Sequence, residues 1–132
     1  MNLDGLVDLL RARVANLVAV YVFGSGETGG THGGSDIDLA VLAGHRLDPL
    51  ARADLAAELG VCAGRDVDLV DLRAASTVFR FQVVSTGRLL LCLDTQAVAR
   101  FEMHALADYC RLNEERRAIL DDVRRLGRVY AR

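Results

Sequence analysis

Four aspartates stand in two Asp-x-Asp pairs, each at the start of a β-rich run. Asp36 and Asp38 open the run DIDLAVL, and Asp66 and Asp68 open the run DVDLV. Because side chains alternate across a strand, the two carboxylates of a pair share one face, with their Cα atoms about 6.6–6.8 Å apart. Neighbouring carboxylates repel and strands disfavour aspartate, so a divalent cation between them would offset the cost of this arrangement.

The chemistry that such pairs support is metal-assisted, in-line displacement at phosphorus. Mg²⁺ prefers hard oxygen ligands and shares its shell with substrate phosphates. If the two runs form neighbouring strands, their carboxylates converge, and two metal ions roughly 3.5–4 Å apart can clamp the attacking and leaving oxygens. The alternative is that the aspartates are solvated residues of half-exposed strands, and it is stronger for Asp66 alone than for Asp36 with Asp38.

A glycine-rich segment, residues 24–34, precedes the first aspartate pair and holds half of the chain's 12 glycines. Its letters GSGETG satisfy the dinucleotide-binding pattern GxGxxG, but the following THGG resists the helix that a dinucleotide fold needs there. A Walker loop is excluded as well, because the chain has no GxxxxGK[ST]. The segment is therefore expected to be a loop that connects two strands.

Hydrophobic periodicity and capping signals predict alternating helices and strands. The predicted elements are a helix 3–17, strands 17–23 and 36–42, a helix 49–60, a strand 66–70, a helix from 71 to about 85, a strand 88–94 and a helical region 95–132. Asp48 is expected to cap the helix that begins at Pro49, and Asp71 to cap the helix that follows the third strand.

The predicted fold class is α/β, with a mixed sheet of about four strands flanked by helices. Only a loop joins the first two strands, so they are expected to be antiparallel. On the second strand, Ile37, Leu39 and Val41 take the predicted core face, which leaves the aspartates on the opposite, ligand-facing side.

Length and composition indicate one globular domain, residues 1–132, with a formal net charge of −2. Proteins that grip long nucleic acid usually carry a basic excess, so this balance disfavours stable nucleic-acid binding and leaves room for small anionic ligands held through metal. The three cysteines are dispersed, no signal peptide is evident, and no apolar run reaches the roughly 20 residues of a membrane span. These features predict a cytoplasmic protein with reduced thiols and no membrane association.

Gly24-Ser25 followed, after ten residues, by Asp36-x-Asp38 resembles the signature of the DNA polymerase beta-like nucleotidyltransferase superfamily. The later run VDLV, with Asp68, is similar to the strand that carries the superfamily's third acid. Among its members the chain resembles the minimal nucleotidyltransferases, specifically the MntA-type antitoxins that are paired with HEPN-domain (HepT-type) toxins. The strong match covers about residues 20–42 and 66–71, and the rest matches in layout.

The resemblance implies a role for each acidic residue of the signature. Asp36 and Asp38 would bind two Mg²⁺ ions. Asp68 would complete one metal site and help to deprotonate the attacking hydroxyl. Asp66 remains the alternative third carboxylate, although Asp68 matches the motif and lies deeper in the strand.

The resemblance also implies how ATP, the expected donor, is held. Gly24 and Ser25 would bind the triphosphate, and Ser35 is expected either to position the nucleotide or to form a turn. The family often has Gly-Ser-x-Ala-Arg-Gly at this point, whereas Glu27 and Thr28 stand where Ala and Arg are expected. This departure predicts weaker nucleotide affinity, unless a lysine or arginine elsewhere substitutes.

The acceptor that the resemblance implies is a tyrosine hydroxyl on a cognate HEPN ribonuclease toxin, which AMP transfer would silence. One alternative is a small-molecule nucleotidyltransferase of the aminoglycoside type, although such enzymes usually carry a further substrate-binding region. The other alternative is a binding antitoxin whose active site has decayed. The three intact aspartates argue against decay, and Thr28 argues for it.

The helical region 95–132 carries apolar residues at spacings of three, four and seven. They are Val98, Phe101, Ala105, Tyr109, Leu112, Ile119, Val123, Leu126 and Tyr130. About 35 residues of helix would span about 50 Å, more than a domain of this size can bury. The stripe is expected to cover the chain's own sheet, or in part to form a homo- or hetero-oligomer. The polar segment NEERR is either an exposed mid-helix or a joint between two helices.

Overall fold

The computed structural model describes residues 3–23 and 37–130, with side chains as far as residue 127. In these ranges, helices and strands follow the predicted order: α1 (Asp4–Arg13), β1 (Leu17–Phe23), β2 (Ile37–Ala43), α2 (Pro49–Ala63), β3 (Val67–Asp71), α3 (Thr77–Thr86), β4 (Arg88–Cys92) and α4 (Thr95–Tyr130). The sheet order is β3-β2-β1-β4, with β2 parallel to β3 and β1 antiparallel to both β2 and β4. The predicted mixed α/β sheet and the antiparallel first pair are confirmed.

Helix α2 begins and ends on local signals that the sequence displays. The Asp48 carboxylate accepts a hydrogen bond from the Ala51 N–H at 3.0 Å, and Pro49 occupies the first helical position. The helix ends at Gly64, whose φ of 71° lies in the left-handed region that glycine adopts without strain. The predicted cap is confirmed, and the helix runs three residues beyond its predicted end.

The prediction that Asp71 caps α3 was wrong. Asp71 is the last residue of β3, where its buried carboxylate accepts hydrogen bonds from the N–H groups of Leu47 at 2.8 Å and Arg73 at 3.0 Å. Ser76 caps α3 instead, by accepting from the Phe79 N–H at 3.1 Å. The bond to Leu47 spans 24 positions of sequence, so no local pattern could have disclosed it.

Helix α1 also differs from its predicted extent. It ends at Arg13 rather than residue 17, and the Val14 N–H makes the last bond to the Leu10 carbonyl. Asn16 then adopts a φ of 55°, in the left-handed region that asparagine tolerates better than most residues. This turn directs the chain into β1.

Both faces of the sheet are buried, so the prediction of a single core face on β2 was wrong. One layer packs α1 and α2 against the sheet and contains the predicted Ile37, Leu39 and Val41. The other layer packs α3 and α4 against the opposite face, where Ala40 and Leu42 are fully buried. A central strand covered on both sides reads as a continuous apolar run, as the letters LAVLA of β2 do.

Helix α4 is a single helix of 36 residues. The segment NEERR is therefore a largely exposed part of this helix and not a joint between two helices. Two side-chain contacts add to the core packing that fixes the first half of α4 to the domain. The Tyr21 hydroxyl donates to the Glu102 carboxylate at 2.7 Å, and burial, reinforced by this bond, raises the pKa of Tyr21. The Tyr109 ring stacks on Phe81 with centroids 3.7 Å apart.

The described part of the chain contains no helix that is both long and apolar enough to cross a membrane. Cys62, Cys92 and Cys110 are free thiols, Cys62 and Cys110 exposed and Cys92 partly buried.

Candidate active site

The structure brings Asp38 and Asp68 together on one face of the sheet. They are Cα partners in the parallel pairing of β2 with β3, where neighbouring strands lie about 4.8 Å apart. Asp38 is partly buried and Asp68 is exposed. Two carboxylates from adjacent strands therefore stand side by side at the end of the sheet where β2 and β3 begin.

Asp68, Asp38 and Phe23 form a row across three neighbouring strands, because Phe23 of β1 is the cross-strand partner of Asp38. Its ring packs edge-on against Phe79 of α3, with centroids 5.3 Å apart and an interplanar angle of 87°. Residues 24–36 connect the strand ends at Phe23 and Ile37. Four of the predicted site residues fall in that connection and lie outside the described residues: Gly24, Ser25, Ser35 and Asp36.

Gly87 holds α3 and β4 against the end of β1 beside this row. A Cβ atom at Gly87 would lie 2.6 Å from the Val83 carbonyl oxygen and 3.2 Å from that of Val22. Both neighbours are backbone atoms that cannot rotate away, so only glycine fits. This positioning role was not predicted from the sequence, where its one visible signal is a glycine between a helix and a strand.

Asp66 lines a different groove from Asp68. It precedes β3, and its carbonyl oxygen accepts a hydrogen bond from the Ile37 N–H at 2.9 Å. It lines a groove together with Gly60 and Val61, from the C-terminal half of α2. The pairing with Asp38 thus favours Asp68 over Asp66 as the partner carboxylate.

A groove of about 230 Å³ opens beside Asp68 and brings in a cation that the sequence analysis missed. Arg52 of α2 lines this groove, and its guanidinium donates to the Leu69 carbonyl oxygen at 2.8 Å. The bond covers part of the edge strand β3 and fixes the arginine on the wall of the groove that Asp68 also lines. Arg52 is a candidate for the positive charge that is absent at Thr28.

The donor set suits Mg²⁺ bound together with a substrate. Mg²⁺ is commonly held by one or two carboxylates plus substrate phosphates rather than by a complete protein cage. Asp38 and Asp68 supply two such carboxylates, and the residues that the structure describes include no group of three potential metal ligands. Asp36, the other predicted ligand, lies outside them.

Arginines at the opposite end of the sheet have structural partners. The Arg73 side chain donates to the Ala43 carbonyl oxygen at 2.7 Å, and Arg80 donates to those of Leu72 and Arg73, each at 2.8 Å. These bonds satisfy backbone groups where β2 and β3 end. The two side chains therefore fasten the β3–α3 connection.

Comparisons with known proteins agree with this geometry. A family model described as Polymerase beta, Nucleotidyltransferase matches residues 6–96. The protein adenylyltransferase MntA of Shewanella oneidensis is 44% identical over 123 residues, which cover 93% of this chain and 88% of that protein.

Solved structures extend the agreement to three dimensions. A crystal structure of a toxin-antitoxin with AMP-PNP contains a chain that matches with a TM-score of 0.84 at 44% identity, covering 93% of this chain and 98% of that one. A second solved structure is the complex of the tri-AMPylated Shewanella oneidensis HEPN toxin with MNT antitoxin. One of its chains matches with a TM-score of 0.76 at 41% identity, covering 91% of this chain and 93% of that one. The chain therefore belongs to the polymerase beta nucleotidyltransferase family and, within it, to the MntA-type adenylyltransferases.

Proposed function

We propose that this protein transfers AMP from ATP to a tyrosine hydroxyl of a cognate HEPN toxin and so acts as its antitoxin. The observation that carries the proposal is the pairing of Asp38 with Asp68 across β2 and β3. Two like charges side by side weaken a sheet, and a divalent cation bound between them would offset that cost, so their placement supports metal-dependent catalysis.

Asp36, Asp38 and Asp68 would hold two Mg²⁺ ions, which neutralise charge on the reacting phosphate when bound. Asp68 is exposed beside the groove, so it can accept the proton of an entering hydroxyl. The hydroxyl oxygen bonds to the α-phosphorus of ATP, the bond from that phosphorus to the bridging oxygen breaks, and pyrophosphate leaves. Gly24 and Ser25 would hold the β- and γ-phosphates, and Ser35 would orient the nucleotide.

The choice of acceptor rests on the relatives. The 44% identical relative is named as a protein adenylyltransferase, and a solved relative is an antitoxin in complex with a tri-AMPylated HEPN toxin. The chain covers 88% of the first and 93% of the second, so these relatives contain little that this chain lacks. We further infer that residues 1–132 act as one domain and that the protein works in the cytoplasm, where ATP is available.

Replacing Asp38 tests the proposal. Asp38→Asn should reduce the transfer of radiolabelled AMP from α-labelled ATP to the toxin by at least about a thousandfold, equivalent to about 4 kcal/mol of transition-state stabilisation. Asp66→Asn is the matched control, because it makes the same chemical change in a different groove and should retain transfer. Circular dichroism of both variants checks the fold.

Equal transfer by wild type and Asp38→Asn would place the chemistry elsewhere. Wild-type protein that binds and inhibits the toxin without transferring label would identify a decayed, purely binding antitoxin. Transfer to an aminoglycoside but not to the toxin would identify a small-molecule enzyme.

A further inference from the structure

The second half of α4, residues 114–130, extends away from the packed domain. Every described side chain from Glu114 to Gly127 is exposed, whereas Tyr109, one turn earlier, still stacks on Phe81. Four large apolar side chains lie on this segment, and each is more than half exposed: Ile119, Leu120, Val123 and Leu126. The sequence left open whether this part of the stripe covers the chain's own sheet, and the structure shows that it does not.

The polar surface of the segment supports a helix but does not explain its apolar side chains. Ion pairs join Asp121 to Arg124 and Asp122 to Arg125, each three positions apart, as suits a solvated helix surface. A helix without tertiary contacts is marginal in water at this length. Exposed leucine, isoleucine and valine in one continuous patch mark a surface that another molecule covers.

The spacing of the patch defines the shape of what covers it. Arg116, Ile119, Val123 and Leu126 follow one another at intervals of three, four and three, which is the heptad spacing of a seam that packs against a second helix. Together with Leu120, which borders them, these residues are called the distal seam. A flat or β-rich partner would not match a seam this narrow, whereas an apolar helix would.

We propose that the distal seam docks a helix of the cognate HEPN toxin. The docked helix carries an apolar stripe, an acidic residue in register with Arg116 and basic residues beside Glu115 and Asp122. This proposal rests on the proposed function for the identity of the partner, and on the geometry of α4 for the surface.

Charge distinguishes the toxin from a second copy of this chain. In a parallel pair of α4 helices, Arg116 of one copy would face Arg116 of the other across the seam. In an antiparallel pair, the residues that flank the seam on one side, Glu115 and Asp122, would face one another and repel. Either self-pairing sets like charges together, so a partner of different sequence fits the seam better.

The experiment measures the affinity of the intact chain for its cognate HEPN toxin by calorimetry. Val123→Asp should weaken binding at least about a hundredfold, equivalent to about 2.7 kcal/mol, because it puts a carboxylate in the centre of the seam. Ala118→Asp is the matched control, since it adds the same charge to the same helix at an exposed position outside the seam and should change affinity less than about threefold. Arg116→Glu should weaken binding about tenfold or more by facing an acidic partner residue.

Binding of Mg²⁺ and a non-hydrolysable ATP analogue to each free variant separates this proposal from the previous one. The distal seam includes neither Asp38 and Asp68 nor the residues that line the groove beside Asp68, so nucleotide binding should remain as in wild type. Toxin binding through the seam without AMP transfer would refute the proposed function and leave this inference standing. Undiminished toxin binding by Val123→Asp with normal helix content would overturn the inference, as would a wild-type dimer in sedimentation that Val123→Asp dissociates.

Discussion

The pairing of Asp38 with Asp68 leads to the prediction that removing one charge of the proposed metal site stabilises the metal-free protein. The two carboxylates are partners on adjacent strands, and two unit charges about 5 Å apart repel by about 0.8 kcal/mol in water. Like charges opposite each other in sheets cost roughly 0.2–1 kcal/mol. Asp68→Asn should therefore raise the free energy of unfolding without metal by about that amount, or roughly 1–5 °C in melting temperature for a chain of 132 residues.

The same substitution should have the opposite effect when ligand is present. A ligand at 100 times its dissociation constant stabilises a protein by about 2.7 kcal/mol, which wild type should gain from Mg²⁺ and ATP. Asp68→Asn lacks one of the charges that would hold the metal in the proposed site, so it should gain much less. Thermal melts of both proteins in EDTA and in Mg²⁺ with ATP measure the two effects together.

Asp66→Asn provides the control for this experiment. Asp66 lines the groove beside α2 and not the carboxylate row, so its replacement should change neither the metal-free melting temperature nor the gain with ligand by more than about 1 °C. Two results would refute the reasoning. One is a lower melting temperature for Asp68→Asn in EDTA, and the other is an equal ligand gain in Asp68→Asn and wild type.

Two further predictions concern the contacts that position the site. The pKa of Tyr21 is raised in the folded chain, so its neutral form stabilises the fold below the ordinary tyrosine pKa of about 10, and that stability is lost as the pH rises above it. In urea unfolding at pH 8 and pH 11, wild type should lose more stability between the two pH values than Tyr21→Phe, and an equal loss would contradict this account. Gly87→Ala should cost about 1–3 kcal/mol by pushing a Cβ against two backbone carbonyls, whereas Gly127→Ala, with nothing within 4 Å, should stabilise α4 by up to about 1 kcal/mol. An unchanged or higher melting temperature for Gly87→Ala would show that the close approach at Gly87 is unimportant.

Features fixed by neighbouring residues were predictable from the sequence. The cap and proline at the start of α2 act within one turn, and alternation along β2 and β3 set Asp38 and Asp68 in a common phase with respect to the core residues. Which aspartate lies beside Asp38 depends on how β2 pairs with β3. Asp66 and Asp68 both alternate with the core residues in the same way, and only the pairing of the strands places Asp68 next to Asp38.

Features set by distant contacts were not predictable in this way. Aspartate is a residue type that often caps helices, but Asp71 ends a strand. Its carboxylate accepts a hydrogen bond from the N–H of Leu47, which lies on a separate connection. The second buried face of β2 depends on α3 and α4 packing there, and the small side chain of Ala40 gives little sign of it. The roles assigned to Gly24, Ser25, Ser35 and Asp36 remain predictions, since these residues lie outside those that the structure describes.

The projecting half of α4 has a consequence for how tightly the catalytic cleft must bind its acceptor. A helix over residues 114–130 forms an arm about 25 Å long, and a toxin held on that arm shares one complex with the cleft. Tethering of this kind gives effective concentrations in the millimolar range. The acceptor hydroxyl can then meet the cleft often while binding it weakly. If the toxin docks as proposed, an acceptor that leaves the active site with or without AMP attached stays within reach, so each later encounter is again intramolecular, and its frequency depends on the length and stiffness of the arm.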